Sequence, residues 1–159
     1  MDQAKVALIC IGPDPQGPMR RVEWVEAIAG SGLRGDRYFQ DATADSGNND
    51  PTLEVTLVEL EGIKDASASS GIDITPEDTR RNIVTSGINL DDLLGRRFRI
   101  GPVELEGLEQ NPPCRHLETV SGKKLLKSLI HKGGIRARIL RSGTLRRGDP
   151  LVIQERRLR

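Results

Sequence analysis

The chain has 159 residues, of which 36% are hydrophobic, 30% charged and only 3% aromatic, and its formal net charge is +1 at pH 7. This composition is typical of a globular protein, and with so few aromatic residues the core must be built from Val, Ile and Leu. A net charge near zero gives no long-range attraction to nucleic acid or to a membrane surface, so neither is expected as a partner. The length suits a single domain, residues 1–159.

The ends and the cysteines of the chain predict a cytoplasmic protein. The start has no basic segment followed by a long apolar stretch, and the apolar run at residues 6–11 is too short to cross a bilayer. Two cysteines are too few for a disulfide framework. Two cysteines and two histidines also argue against a structural zinc site, which usually needs four convergent ligands at set spacings. Cys10 lies within the apolar run, so we expect it to be buried and inert.

The first part of the chain alternates apolar runs with turn residues rich in Gly and Pro. We predict strands at residues 4–11, 20–28 and 55–58, and a helix at residues 59–69 that follows the third strand directly. Residues 41–51 are rich in Asp, Asn, Ser and Gly without an apolar period, which predicts a mobile loop.

The second part of the chain contains further short strands. They are predicted at residues 80–85, 97–100, 103–108, 135–140 and 151–154, the second and third forming a hairpin. Residues 75–78 and 89–94 have the pattern of capped helical turns, and residues 122–132, with leucines on one face, predict an amphipathic helix. Many short strands without βαβ alternation favour a mostly β fold with short helices, a mixed and largely antiparallel barrel-like sheet.

Cys114 lies in the segment Asn111-Pro112-Pro113-Cys114-Arg115-His116, which is where the sequence suggests chemistry. Thiolate is the reactive form of cysteine and adjacent positive charge favours it, so Cys114 is a candidate nucleophile, sulfur carrier or soft-metal ligand. Arg115 and His116 are candidates for tuning or orienting the thiol. The alternatives are a small buried hydrophobe for Cys114 and a surface or core residue for His116.

Four segments together resemble the MOSC domain family, the module similar to the C-terminal part of molybdenum cofactor sulfurases: residues 32–38, 55–59, 79–87 and 113–118. The resemblance covers nearly the whole chain. It implies a β-rich, barrel-like fold and a role in molybdenum cofactor metabolism, either as a sulfur carrier or as a cofactor-binding domain. Several relatives have a second cysteine three residues before the motif cysteine. This chain has Asn111 there, so single-thiol chemistry remains.

The resemblance also implies roles for particular residues. Cys114 would be the molybdenum ligand, as in relatives that reduce N-hydroxylated compounds, while Arg80 and Asn82 would hold the polar groups and phosphate of the molybdopterin. Because side chains alternate along a strand, Arg80 and Arg81 should face opposite sides, and we assign Arg80 and Asn82 to the side of the site. Asp36 with Arg37 forms either a local ion pair or part of the site.

The arginines of residues 136–159 allow two interpretations as well. Eight arginines stand there against one Asp and one Glu. They either cover solvated strand faces and a terminal tail or form a patch that faces an anion.

Three functions are compatible with this pattern. The first is a molybdenum-cofactor-associated sulfur carrier or cofactor-binding protein that acts through Cys114 and an anionic pterin. Its partner would be a cysteine desulfurase, to which any pyridoxal phosphate would belong, or a cofactor-biosynthesis enzyme. The second is a molybdenum-dependent reductase of N-hydroxylated compounds, and the third is a docking module without catalysis.

Overall fold

The computed structural model describes residues 3–41 and 49–154. Its strands are β1 (Lys5–Ile11), β2 (Arg20–Val22), β3 (Trp24–Ile28), β4 (Gly32–Leu33), β5 (Val55–Glu59), β6 (Ile83–Ser86), β7 (Arg97–Ile100), β8 (Val103–Gln110), β9 (Ile135–Arg141), β10 (Gly143–Arg146) and β11 (Leu151–Ile153). Its α-helices are α1 (Leu60–Ser70) and α2 (Arg115–Ser121), and short 3₁₀ helices lie at Pro51–Leu53, Pro76–Thr79 and Leu90–Leu93. Most of the predicted loop at residues 41–51 lies outside the described residues.

Two sheets organise the described strands. Eight strands form a mixed sheet in the order β11-β7-β8-β9-β5-β6-β1-β2, and β10, β3 and β4 form a second sheet. β5 and β6 run parallel with α1 as their crossover, whereas the other paired strands described are antiparallel. The prediction of a mostly β, largely antiparallel mixed fold is therefore confirmed. The ladders between the described strands do not close into a barrel, so the sheet is barrel-like only loosely.

The alternation of side chains along β5 separates two buried clusters. Leu57 belongs to the larger cluster between the two sheets, which includes Phe98 and otherwise consists of aliphatic residues. Val58 points to the other face, where Ile63 of α1 and Leu117 of α2 pack against the sheet. β5 is thus buried on both faces, and this strand is a rigid part of the sheet.

Several local predictions are confirmed. The hairpin of β7 and β8 is present, and α1 ends at Gly71, whose φ of 74° is left-handed. Thr75 and Asn89 cap the two short 3₁₀ helices that follow the capped-turn patterns. These features depend on local chemistry, since each cap satisfies backbone amides that a helix start leaves free.

The prediction of one strand over residues 20–28 is wrong. A bend at Glu23 interrupts the strand, so that β2 pairs with β1 in the large sheet while β3 pairs with β10 in the small one. The segment crosses from one sheet to the other, and no apolar period in the sequence records such a crossing.

The predicted helix at residues 122–132 is also wrong. The helix lies earlier, at α2, and Gly122 ends it with a φ of 73°. Leu125 and Leu129 are buried as a helical face would be, but the segment consists of turns. Two backbone amides of this segment donate to side chains: that of Leu126 to Glu118 and that of Lys123 to Ser121. None of the described helices is long and apolar enough to cross a membrane.

Candidate functional site

A small cavity of about 120 Å³ lies beside Cys114, between the start of α2 and the segment that precedes β6. Its lining includes four arginines, one thiol and one imidazole, namely Arg37, Arg80, Arg81, Arg136, Cys114 and His116. Among the described residues, none that lines this cavity carries a carboxylate. Several fixed positive charges in a confined space create a strong potential for anions.

Arg81 fixes the loop that carries the thiol. Its side chain donates hydrogen bonds to four backbone carbonyls, those of Asn111 (2.8 Å), Gly133 (2.8 Å), Thr79 (3.2 Å) and Pro112 (3.3 Å). Burial lowers the pKa of Arg81 to about 10, whereas the nearby Cys114 opposes that change. The guanidinium therefore stays charged at neutral pH and holds residues 111–113 against the start of β6.

Arg80 fixes a second loop at the cavity. Its φ of 56° is left-handed, and its guanidinium donates to the carbonyls of Gly17 (2.7 Å), Asp14 (3.2 Å) and Pro15 (3.2 Å). Its Nε is buried, and no described residue accepts a hydrogen bond from it. Burial and then the neighbouring Arg37 lower the pKa of Arg80. A residue other than glycine in this conformation costs about 1–3 kcal/mol, and such strain is often found at functional sites.

The predicted alternation of Arg80 and Arg81 along a strand is wrong. The strand begins at Ile83 instead of residue 80, and the backbone turn at Arg80 lets both arginines line the same cavity. The rule of opposite faces holds only for extended backbone. Sequence reasoning therefore missed Arg81, although this residue makes the direct connection to the loop of Cys114.

Asn82 supports the cavity from behind instead of lining it. Its side-chain oxygen accepts from the amide and the hydroxyl of Thr56, both at 3.1 Å, and its Nδ2 donates to the carbonyl of Cys10 at 3.2 Å. Asn82 thereby joins β1 to β5, and Thr56 in turn lines the cavity. Because its amide is committed to these contacts, Asn82 positions a wall of the site.

Asp36 and Arg37 form a local ion pair, and Arg37 also lines the cavity, so both alternatives that the sequence left open are observed. They form an ion pair at 3.4 Å with side chains only 2% and 7% exposed. Asp36 also accepts from the amide of Gly12 at 2.9 Å and from Asn82 at 3.4 Å. Arg37 lines the cavity, and its buried Nε, like that of Arg80, has no hydrogen-bond partner among the residues that the structure describes. Asp36 thus holds the arginine in place from outside the lining.

The cysteine segment is presented at the start of α2. Cys114 is exposed, and its extended backbone precedes the first helical residue. His116 lines the cavity, and because a carbonyl only accepts, its Nε2 donates to the carbonyl of Pro15 at 2.8 Å. The imidazole therefore joins α2 to the loop that Arg80 holds. Arg115 is exposed and lies outside the lining.

Gly133 and Gly134 make room for the cysteine loop. A Cβ on Gly133 would collide with the carbonyl of Asn111, and a Cβ on Gly134, whose φ is +87°, would collide with that of Leu57. The amide of Asn111 donates to the carbonyl of Gly134 at 2.8 Å. The closeness of these backbones explains the pair of glycines, which the sequence analysis did not connect with the site.

A larger cavity of about 640 Å³ lies behind the same loop and shares Asn111 and Pro112 with the first. Glu59, Asp91 and Lys132 contribute to its lining, and no described residue of this lining is a cysteine or an arginine. We assign the candidate site to the smaller cavity because the exposed thiol and the four arginines meet there. Among residues 3–41 and 49–154, no three His, Cys, Asp or Glu side chains converge as a metal site.

The two cysteines should differ sharply in reactivity. Cys10 is 0% exposed and burial raises its pKa to about 11, so at pH 8 roughly one thiol in a thousand is ionised. Cys114 is exposed. We expect iodoacetamide to label Cys114 in the folded protein while Cys10 remains unmodified until urea unfolds the chain. Peptide mass spectrometry measures both, and equal labelling of the folded protein would contradict the assignment.

Comparisons with solved structures show where the fold is found. The chain is similar to YuaD from Bacillus subtilis, with a TM-score of 0.77 and 19% identity over 96% of both chains. It is similar to YiiM from Geobacillus stearothermophilus, with a TM-score of 0.71 and 19% identity over 96% of this chain and 76% of that one. The corresponding values for YiiM from Escherichia coli are 0.67, 14%, 96% and 70%. At these identities the likeness concerns the fold alone.

Comparison at the level of sequence gives the family. A search of curated proteins finds no match. The family model of the MOSC domain matches residues 46–152, which include β5, β6, α2 and the segment of Cys114. The chain therefore belongs to the MOSC domain family, whose members are related to the C-terminal domains of molybdenum cofactor sulfurases.

Proposed function

We propose that the protein is a molybdenum-cofactor-associated sulfur carrier and cofactor-binding protein that acts through the single thiol of Cys114. The observation that carries the proposal is the exposed thiol on the lining of a cavity whose described lining residues include four arginines and no carboxylate. A thiolate needs adjacent positive charge to persist at neutral pH, and so does a bound anion. The same arginines can serve both.

The arginine cavity fits the anionic end of a pterin cofactor. Two buried guanidinium nitrogens, the Nε atoms of Arg37 and Arg80, have no hydrogen-bond partner within residues 3–41 and 49–154, and buried donors are rarely left unsatisfied. Arg37, Arg80 and Arg136 would hold a phosphate, since the planar guanidinium matches phosphate oxygens. At about 120 Å³ the cavity is smaller than the roughly 300–1,000 Å³ of an enclosed ligand site, so the remainder of the pterin would extend outside it.

The residues of this chain have separate tasks in the proposed reaction. Cys114 attacks the outer sulfur of a donor persulfide, so that a bond forms to its Sγ while the sulfur–sulfur bond of the donor breaks. The electron pair of that bond leaves on the donor thiolate. Arg81 keeps the loop of Cys114 in place through its four carbonyl contacts. When bound, a molybdenum centre supplies redox chemistry, and Cys114 is the soft ligand offered to it.

The sulfur-carrier proposal is tested by loading. Incubation with a cysteine desulfurase and cysteine should add the mass of one sulfur atom to Cys114 of the wild type. Cys114→Ser should gain none, because a hydroxyl forms no persulfide, whereas Cys10→Ala should be loaded like the wild type. Peptide mass spectrometry measures the gain. Loading of Cys10, or a wild type that takes up no sulfur, contradicts the carrier role.

The two alternatives give different results under cofactor analysis. A reductase of N-hydroxylated compounds must hold molybdenum and pterin stoichiometrically and turn over with an external electron donor, whereas a docking module needs neither the metal nor the thiol. Protein purified from a host that makes the cofactor distinguishes them. Stoichiometric molybdenum with reductase activity, in a protein that takes up no sulfur, would replace the carrier proposal by the reductase.

A further inference from the structure

We propose that the arginine cavity binds a small oxyanion with a transferable sulfur, of which thiosulfate is the simplest, as a direct sulfur donor to Cys114. The inference rests on the proposed function that Cys114 carries sulfane sulfur. It adds the chemical class of a donor that needs no desulfurase. Three properties of the site support it: the volume of the cavity, its charge and the position of the thiol.

The volume suits a small anion. The cavity measures about 120 Å³, below the roughly 300–1,000 Å³ typical of sites that enclose organic ligands. Arg81 bounds it beneath the cysteine loop and Arg80 beneath the loop of residues 14–17, and both arginines hold backbone carbonyls. Because these contacts fix the walls, the site is built before a ligand arrives.

The charge of the cavity matches a doubly charged anion. In the part of the chain that the structure describes, the lining contains four arginines and no acidic residue, and Asp36 pairs with Arg37 from outside the lining. Arg37 and Arg80 both line the cavity, and the Nε atoms of these two arginines are buried without a hydrogen-bond partner among the described residues. A sulfonate end has three oxygens that accept hydrogen bonds from guanidinium groups, as phosphate does.

The thiol completes the arrangement. Cys114 lines the same cavity and is exposed, so an anion held by the guanidinium groups through its oxygens has its outer sulfur left for attack. An approaching thiolate and a dianion repel each other in water, and the four arginines offset that repulsion. Cys10, which is 0% exposed and on β1, has no such access.

The transfer balances without a further reactant. The thiolate of Cys114 attacks the outer sulfur of thiosulfate, and a bond forms between that sulfur and Sγ. The sulfur–sulfur bond of thiosulfate breaks, and its electron pair leaves with sulfite. The products are the persulfide of Cys114 and one sulfite, so no oxidant or reductant is consumed.

The test incubates the full chain, as wild type and as a matched set of variants, with thiosulfate as the only sulfur donor. We expect the wild type to gain one sulfur atom at Cys114 and to release an equal amount of sulfite, at a rate that saturates with thiosulfate. Arg37→Gln and Arg136→Gln should each raise the half-saturating concentration about tenfold, the loss typical of one charge-assisted hydrogen bond. Arg99→Gln is the control, because Arg99 is exposed on β7 and does not line the cavity.

The outcomes separate the inference from the proposed function. Arg136 is partly exposed, so Arg136→Gln keeps the test decisive should Arg37→Gln fail to fold. A rate linear in thiosulfate and equal in Arg136→Gln and Arg99→Gln would show unassisted exchange and overturn the inference. Loading by a desulfurase but not by thiosulfate overturns the inference alone, whereas loading by neither overturns the carrier function as well.

Discussion

Arg81→Ala should lower the free energy of unfolding by about 3 kcal/mol, the contribution of roughly two charge-assisted hydrogen bonds. The loss is smaller than four such bonds would give, because the substitution also removes the cost of burying the cation. The wild-type guanidinium serves four carbonyls from three segments of the chain. Without it, the carbonyls of Asn111 and Gly133 lose a charged donor. Urea denaturation followed by circular dichroism measures the change.

Two further variants make the Arg81 result specific. Arg81→Lys keeps the charge but cannot place donors on all four carbonyls, so we expect an intermediate loss. Arg99→Ala removes an exposed arginine of β7 and should change the free energy by no more than about 0.5 kcal/mol. If Arg81→Ala matched Arg99→Ala, the contacts to the cysteine loop would contribute nothing to stability.

Gly134→Ala should cost about 4 kcal/mol or prevent folding. The φ of +87° at Gly134 strains any L-residue by about 1–2 kcal/mol, and the added Cβ would also collide with the carbonyl of Leu57 in β5. Relief of that collision must separate β5 from the start of β9, because Leu57 pairs with Ile135 there. The loss should exceed the strain alone, and the yield of folded protein and urea denaturation both measure it.

Gly148→Ala is the matched control for Gly134→Ala. Its φ of +91° imposes similar strain, but apart from the two chain neighbours no described residue has an atom within 4 Å of the added Cβ. We therefore expect a cost of about 1–2 kcal/mol at Gly148, the contribution of backbone conformation alone. Equal losses at the two positions would mean that the close approach of Gly134 to Leu57 does not matter for stability.

The glycine result bears on the site as well as on the fold. The amide of Asn111 donates to the carbonyl of Gly134, and Arg81 donates to that of Gly133. The two glycines thus connect the cysteine loop, the arginine below it and the edge of β9. A partly folded Gly134→Ala protein should show faster labelling of Cys10, which the folded core protects at 0% exposure.

Much of the fold could be predicted from the sequence because local chemistry decides it. The apolar run of β1 and the β-branched residues of β5 favour strands by their own composition, and the hairpin of β7 and β8 pairs two strands that are adjacent in sequence. The caps at Thr75 and Asn89 satisfy backbone amides within three residues. The prediction of a helix at residues 122–132 failed because burial of an apolar face does not require a helix: Leu125 and Leu129 are buried, but their segment consists of turns.

The sequence by itself determined the family resemblance and singled out Cys114, since a thiol between prolines and basic residues is a local pattern. Only the tertiary structure decided which cations line the cavity with it. Arg81 meets Asn111 and Gly133 across 30 and 52 residues, and a left-handed turn at Arg80 overrides the alternation on which the sequence argument depended. Arg136 reaches the same cavity from β9. The turn at Arg80 and contacts between distant segments place these arginines at the cavity, and neither a turn nor a long-range contact leaves a periodic signal in the sequence.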